Sequence, residues 1–88
     1  GFTPEQAKQG ALFVMHKAAP WPVCMDGLDI PIDIYYLSQA GMVLEHIEGF
    51  PGMGTIWPEI SSKYVLELPM LSDDPLYKVG DFVDIPDV

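Results

Sequence analysis

Three aspartates occupy one short stretch of the chain, where a turn leads into a predicted strand. Asp26 and Asp29 lie in the turn, and Asp33 follows between two isoleucines. Carboxylate oxygens are the ligands that Ca²⁺ and Mg²⁺ prefer, but the spacing does not match an EF-hand loop. Ordinary turn and strand-edge roles are the simpler interpretation. The functional alternative, which we carry forward, is a ligand-binding acidic rim of Asp26, Asp29 and Asp33 without a bound metal.

His46 lies beside Glu45 and close to Glu48 on another predicted strand. An imidazole oriented by a carboxylate is typical of a general base, and such a pair also suits metal ligation. A nucleophile within hydrogen-bond reach would complete an active site, and no motif in the sequence places one there. Cys24 stands in an apolar Pro-Val-Cys-Met context, which predicts a small buried thiol in preference to a nucleophile. We therefore predict no catalytic residue.

Residues 48–62 form an irregular segment in which glycines and prolines alternate with Phe50, Met53 and Trp57. Long ordered loops in small domains are often functional. Their apolar side chains serve either as a lid over the core, which is the interpretation we favour, or as a contact surface for a ligand. For the second role the candidate residues are Phe50 and Trp57.

The charge balance excludes some partners. The chain has 13 acidic residues against four lysines and no arginine, and its formal net charge is −9. Nucleic-acid binding depends on clustered basic side chains that release counterions, so direct binding of nucleic acid is disfavoured. The missing arginine also removes the usual fork for carboxylate or phosphate ligands. Solubility is the simple explanation of the acidic surface, and docking of a basic partner is the sharper one.

The length and the cysteine count limit the architecture. The 88 residues, 49% of them hydrophobic, are enough for one domain spanning residues 1–88. A single cysteine excludes an internal disulfide and a multi-thiolate zinc site. No apolar run approaches the roughly 18 residues of a membrane span. Because the chain begins at Gly1, we leave open an exported protein whose leader was removed and a cytoplasmic one.

The local patterns predict mainly strands. Thr3, Pro4 and Gln6 favour a helix start, and Gly10 would end that helix in a left-handed conformation. Later elements are a strand over residues 11–15, a loop over 18–22, a strand over 63–68, a turn or helix start over 72–75, a turn over 78–81 and a strand over 82–85. In the strand over 63–68 we expect Tyr64, Leu66 and Leu68 to face inward and Glu67 to face outward.

The clearest pattern is a hairpin. Ile30, Ile32, Ile34 and Tyr36 share one strand face, and Pro31, Asp33 and Tyr35 share the other. Gly41 supplies the positive φ that such a connection often requires. The return strand then places Val43, Glu45 and Ile47 together, opposite Met42, Leu44 and His46. Because neither face is wholly polar, we expect the sheet to be covered on both sides.

Five segments, taken in order, resemble a known family. They are residues 10–15, Met25, residues 30–34, residues 64–68 and residues 79–81. The ordered set is similar to the bacterial and archaeal family named domain of unknown function 192. The resemblance implies a compact, sheet-rich domain with one or two short helices and no established chemistry. The chain departs from that pattern at Val23-Cys24 and at Asp26-Gly27-Leu28, where the family usually has an aromatic pair and a basic polar turn.

Together these observations predict a mainly β (α+β) fold, a small sheet or partly closed barrel of about five to six strands with one or two short helices. The predicted function is a non-enzymatic binding or protein-interaction module for a protein or small-molecule ligand, without a cofactor. The alternative is a small hydrolase or metal-assisted enzyme that uses His46 with nearby carboxylates.

Overall fold

The chain folds into two antiparallel β-sheets, in a computed structural model that describes residues 9–86. The strands are β1 (Ala11–Ala19), β2 (Val23–Cys24), β3 (Ile32–Leu37), β4 (Val43–Gly49), β5 (Thr55–Ile56) and β6 (Ser62–Pro69). The main sheet has the order β1-β6-β3-β4, and β2 pairs with β5 in a small second sheet. The mainly β prediction is therefore confirmed.

Of the two predicted architectures, an open sheet is found and not a partly closed barrel, and of the two predictions for residues 72–75, a turn is found and not a helix start. The main sheet has free edges at β1 and β4 and is not closed into a barrel. Between Gly10 and Pro86 the chain forms no helix, and residues 72–75 make a bend stabilised by hydrogen bonds of Ser72 to Asp74. The helix start predicted at Thr3 to Gln6 lies outside the described residues. Gly10 has the expected positive φ, 86°.

β3 lies inside the main sheet, between β6 and β4, and every one of its side chains is buried. Alternation along the strand gives the sheet two apolar faces. Ile32, Ile34 and Tyr36 point to the first face, and Tyr35 and Leu37 point to the second. The predicted cover on both sides is thus confirmed.

The first face is covered by the small sheet and the turn that follows β2. Val23, Met25, Leu28 and Ile56 form one buried cluster with the first-face residues of β3 and β6. Gly49 permits this approach, because a Cβ atom there would lie only 2.8 Å from Met25 Sδ. Burial of these apolar side chains is the main contribution that holds the small sheet against the large one.

The second face is covered by residues 71–86, which we call the strap. Tyr77, Val83 and Ile85 of the strap pack against Tyr35 and its neighbours. A final strand over residues 82–85 was predicted, and this is wrong. The strap pairs with the sheet through one β-bridge, between Met42 and Phe82. Its backbone hydrogen bonds to the hairpin involve only Gly41 and Val43, which is too short a stretch for a strand.

A β-bulge in β4 changes the predicted faces of the hairpin. Tyr36 pairs with Glu45, but Leu37 pairs with Val43, so Leu44 is an extra residue on the return strand. Such an insertion reverses the alternation. Val43 therefore packs on the second face and Ile47 on the first, and their predicted common face is wrong.

β1 is longer than predicted. It continues to Ala19, with an irregular register after Val14, so the loop begins only at Pro20.

Among the described residues, no helix is long and apolar enough to cross a membrane.

Candidate functional site

A pocket of about 360 Å³ lies between the main sheet and the small sheet, within the described chain. Most of its walls are apolar or aromatic. The residues that line it are Phe13, Met15, Trp21, Pro22, Val23, Cys24, Thr55, Val65 and Glu67. We call it the Glu67 pocket.

Strand pairing positions the floor of this pocket. Phe13 of β1 pairs with Val65 of β6, and Ala11 pairs with Glu67, so Val65 and Glu67 follow each other on the first face. In the small sheet Cys24 pairs with Thr55, which places both at the opposite wall. The pocket is therefore built by four strands that are distant in sequence.

Trp21 forms a side wall and is held by two contacts. Its indole Nε1 donates a hydrogen bond of 3.0 Å to the carbonyl oxygen of Lys17. Its ring meets His16 edge to face, with 5.2 Å between the centroids. The irregular end of β1 thus fixes an aromatic surface beside the pocket.

Glu67 is the unexpected residue of the site. It was predicted to face outward, but its side chain is only 2% exposed. The reason is that Glu67 follows Val65 on the first face of β6, which the small sheet covers, so its side chain lies in the wall of the pocket and not on the outer surface. Within the described chain its Oε2 has no hydrogen-bond partner.

Burial changes the protonation of this carboxyl. Loss of hydration raises the pKa of Glu67 from 4.5 to about 7, because a charged oxygen is poorly stabilised away from water. Near neutral pH the group therefore exists in comparable amounts as a carboxylic acid and as a carboxylate. It can donate a hydrogen bond in the first form and pair with a cation in the second.

Tyr36 shares this environment. It pairs with Val65 across β3 and β6, and its hydroxyl is also buried without a partner in the described part of the chain. Burial, followed by the negative charges of Glu45 and Glu67, raises the pKa of Tyr36 strongly. The phenol is neutral at physiological pH and does not offset the charge of Glu67.

No cation lines the Glu67 pocket among the residues described. Lys63 lies on the same face of β6, and its Nζ donates a hydrogen bond to the carbonyl oxygen of Met15. The N-terminal amino group acts on Glu67 with a positive charge, but it lowers the pKa of the carboxyl by less than burial raises it.

The predicted acidic rim is not assembled as one site. Asp26 and Asp29 are exposed in the turn after β2, whereas Asp33 is buried on the second face. Within residues 9–86, no group of three or more histidine, cysteine, aspartate or glutamate side chains is placed to hold a metal ion.

Asp33 instead pairs with His46. The His46 Nε2 and the Asp33 Oδ1 are 2.7 Å apart, and the imidazole stacks on the ring of Tyr35 at 4.8 Å. Glu45 accepts hydrogen bonds from the backbone N–H groups of Glu59 and Ile60, and Glu48 is exposed. Among the described contacts the carboxylate partner of His46 is therefore Asp33, and not Glu45 or Glu48, its neighbours in the sequence.

Two predictions are wrong here: the lid over the core, which was the favoured role of the loop aromatics, and the buried thiol. Phe50 and Trp57 are 45% and 64% exposed, and Met53 is exposed too, so they do not form a lid over the core. Neither aromatic side chain lines the Glu67 pocket. Cys24 is exposed and not buried, because alternation in β2 turns Val23 inward and its neighbour outward.

Compared with known proteins, the chain matches no family model, no curated protein and no solved structure. The resemblance to domain of unknown function 192 therefore stays a prediction, and the function is inferred below from the geometry of the site.

Proposed function

We propose that the domain is a non-enzymatic binding module that holds a small, largely apolar molecule in the Glu67 pocket. The observation that carries this proposal is a buried carboxyl oxygen, without a partner in the described chain, in the wall of an open apolar pocket. Leaving such a group unsatisfied costs about 1–3 kcal/mol. A ligand that hydrogen-bonds to Glu67 removes this cost, so ligand binding is favoured at that point.

The dimensions and composition of the pocket support the same function. Its volume of about 360 Å³ falls at the small end of the roughly 300–1,000 Å³ that is typical of ligand sites. Such sites combine apolar walls with a few polar groups that orient the ligand. Here those groups are the carboxyl of Glu67, the thiol of Cys24 and the hydroxyl of Thr55.

Cys24 offers a direct assay of this proposal. It is the single cysteine of the chain, it is exposed, and it lines the pocket. A panel of small aromatic and aliphatic amines, alcohols and amides would be screened for thermal stabilisation and for slower reaction of Cys24 with a thiol reagent. We expect some compounds both to raise the thermal stability and to slow the reaction of Cys24. The pocket variant Thr55→Phe should abolish both effects, and Val14→Phe, at an exposed position outside the pocket wall, should preserve them.

If no compound stabilises the protein or protects Cys24, the proposal of a small-molecule site is wrong. If compounds stabilise the protein but leave the Cys24 reaction and the Thr55→Phe variant unaffected, binding occurs elsewhere and the assignment to the Glu67 pocket is wrong.

The hydrolase alternative is supported by one observation, the 2.7 Å contact of His46 with Asp33. A histidine oriented by a carboxylate is typical of a general base, but a nucleophile or activated water must also be in reach. Hydrolysis of a simple activated ester by the wild type and by His46→Gln distinguishes the two functions. We expect equal hydrolysis rates for the two proteins. A lower rate for His46→Gln than for the wild type would favour the hydrolase.

A further inference from the structure

We propose, building on the binding function above, that the Glu67 pocket selects a monocationic amine whose ammonium group pairs with Glu67 and whose apolar tail lies against Phe13, Trp21 and Val65. The ligand class is inferred from the charge, the aromatic walls and the size of the site.

Charge gives the first argument. The described lining contains one ionisable carboxyl and no basic side chain, so an anionic ligand would meet repulsion without compensation. A neutral ligand satisfies Glu67 with a hydrogen bond alone. An ammonium group supplies the missing donor together with a positive charge, and hydrogen bonds between charged groups are roughly twice as strong as neutral ones. The net charge of −9 also concentrates cations near the surface.

The aromatic walls give the second argument. Phe13 and Trp21 both line the pocket, and aromatic rings pack favourably against an apolar or aromatic tail. Trp21 is fixed by its bond to Lys17 and by its contact with His16, so this surface exists before the ligand arrives. A rigid aromatic wall beside a carboxylate is an arrangement suited to an alkylammonium or arylalkylammonium ion.

The charged and titratable groups around Glu67 still favour a positive ligand. The N-terminal amino group acts on Glu67 with a positive charge, but it lowers the pKa by less than burial raises it. Tyr36 approaches from β3 and is neutral, Cys24 contributes a thiol from β2, and Glu45 of β4 acts on Tyr36 with a further negative charge. Lys63 of β6 is engaged by the carbonyl of Met15. His16 of β1 touches only the wall residue Trp21 among the contacts described.

Size restricts the tail. A pocket of about 360 Å³ accommodates a small monoamine, such as an arylethylamine. We use 2-phenylethylamine as the probe, with 2-phenylethanol and 3-phenylpropionate as neutral and anionic compounds of matched shape. Binding is measured by calorimetry on the full chain at about pH 5.5 and at about pH 8, where an alkylamine stays protonated like a lysine side chain.

The expected order of affinity at about pH 8 is amine, then alcohol, then carboxylate. Because Glu67 ionises near pH 7, amine affinity should rise roughly 30-fold from pH 5.5 to 8. Glu67→Gln should bind the amine no better than the alcohol, without this pH dependence. Glu48→Gln is the matched control, since it makes the same change at an exposed position of β4 outside the pocket wall and should leave the affinity and the pH profile unchanged.

Alcohol and amine of equal affinity in the wild type, or amine affinity that falls with rising pH, would overturn the amine assignment while the binding function stands. If none of the three compounds binds and the wider panel also fails to protect Cys24, the binding function itself is wrong. The wild-type pH profile and the ratio of amine to alcohol affinity need no variant, so the test does not depend on the folding of Glu67→Gln.

Discussion

Replacement of Glu67 by glutamine should remove a pH-dependent loss of stability. The native carboxyl keeps its proton up to about pH 7, whereas in the unfolded chain it ionises near its ordinary value of 4.5. Between these two pH values the native state binds more protons than the unfolded state. The free energy of unfolding must therefore fall as the pH rises through this interval.

The size of the effect follows from the same two values. Each pH unit over which one proton separates the two states changes the free energy by about 1.4 kcal/mol. From 4.5 to about 7, the total loss in the wild type approaches about 3 kcal/mol. Glutamine is nearly isosteric and cannot ionise, so the variant should match the wild type near pH 4 and exceed it by about 3 kcal/mol near pH 8.

Urea unfolding across this pH range, followed by tryptophan fluorescence, measures the difference between the two proteins directly. Glu48→Gln is the control, because Glu48 is exposed on β4 and its replacement should leave the slope unchanged. Parallel stability profiles for the wild type and Glu67→Gln would show that the pKa of Glu67 is not raised, since the buried carboxyl would then ionise as freely as in the unfolded chain.

Three further predictions concern the elements around the site. Tyr35→Phe should lower the free energy of unfolding, measured by urea titration, by about 1–2 kcal/mol. The reason is that the Tyr35 hydroxyl accepts hydrogen bonds from the backbone N–H groups of Leu76 and Tyr77 in the strap. An unchanged unfolding midpoint would show that these hydrogen bonds do not stabilise the strap. Gly49→Ala should cost about 1–3 kcal/mol by crowding the first-face core at Met25, and a gain in thermal stability would contradict this packing. Cys24 should react with a thiol reagent in the native protein within about tenfold of its rate in urea, as an exposed thiol does; complete protection would mean that it is buried.

Local pattern was sufficient to predict the hairpin. The alternating isoleucines of β3 and the positive φ of Gly41, which is 90°, are properties that neighbouring residues determine. The bulge at Leu44 was not predictable in this way, because the sequence around it keeps a plausible alternation. Its position depends on how β4 meets the strap, through the bonds between Val43 and the backbone of Gly80 and Asp81.

The small sheet shows why the pocket was missed. β2 and β5 have two residues each, which is too short for a periodic signal, and their pairing joins Val23 with Ile56 across a long separation in sequence. Without that sheet the first face of β6 would be open to solvent, and the outward prediction for Glu67 would have been correct. One signal was present, since Val65 lies two residues before Glu67 and therefore shares its face.

The candidate site residues also show that local sequence patterns do not predict which side chains are buried. Acidic residues in turns are conspicuous, but Asp26 and Asp29 are exposed and solvated. Asp33 was a better choice, because it is buried and bound to His46, although that contact crosses a hairpin whose register had first to be known. In this protein the buried carboxylates are the better functional candidates, and burial depends on the whole fold.

The most direct measurement is carbon-13 NMR of the Glu67 side-chain carboxyl, followed from about pH 4 to about pH 9 with and without 2-phenylethylamine. We predict a midpoint of about 7 in the free protein, and a shift to lower pH when the ammonium group pairs with the carboxylate. A midpoint near 4.5 in the free protein, or one that the amine leaves in place, would contradict the proposal that Glu67 is the buried recognition group of a binding pocket.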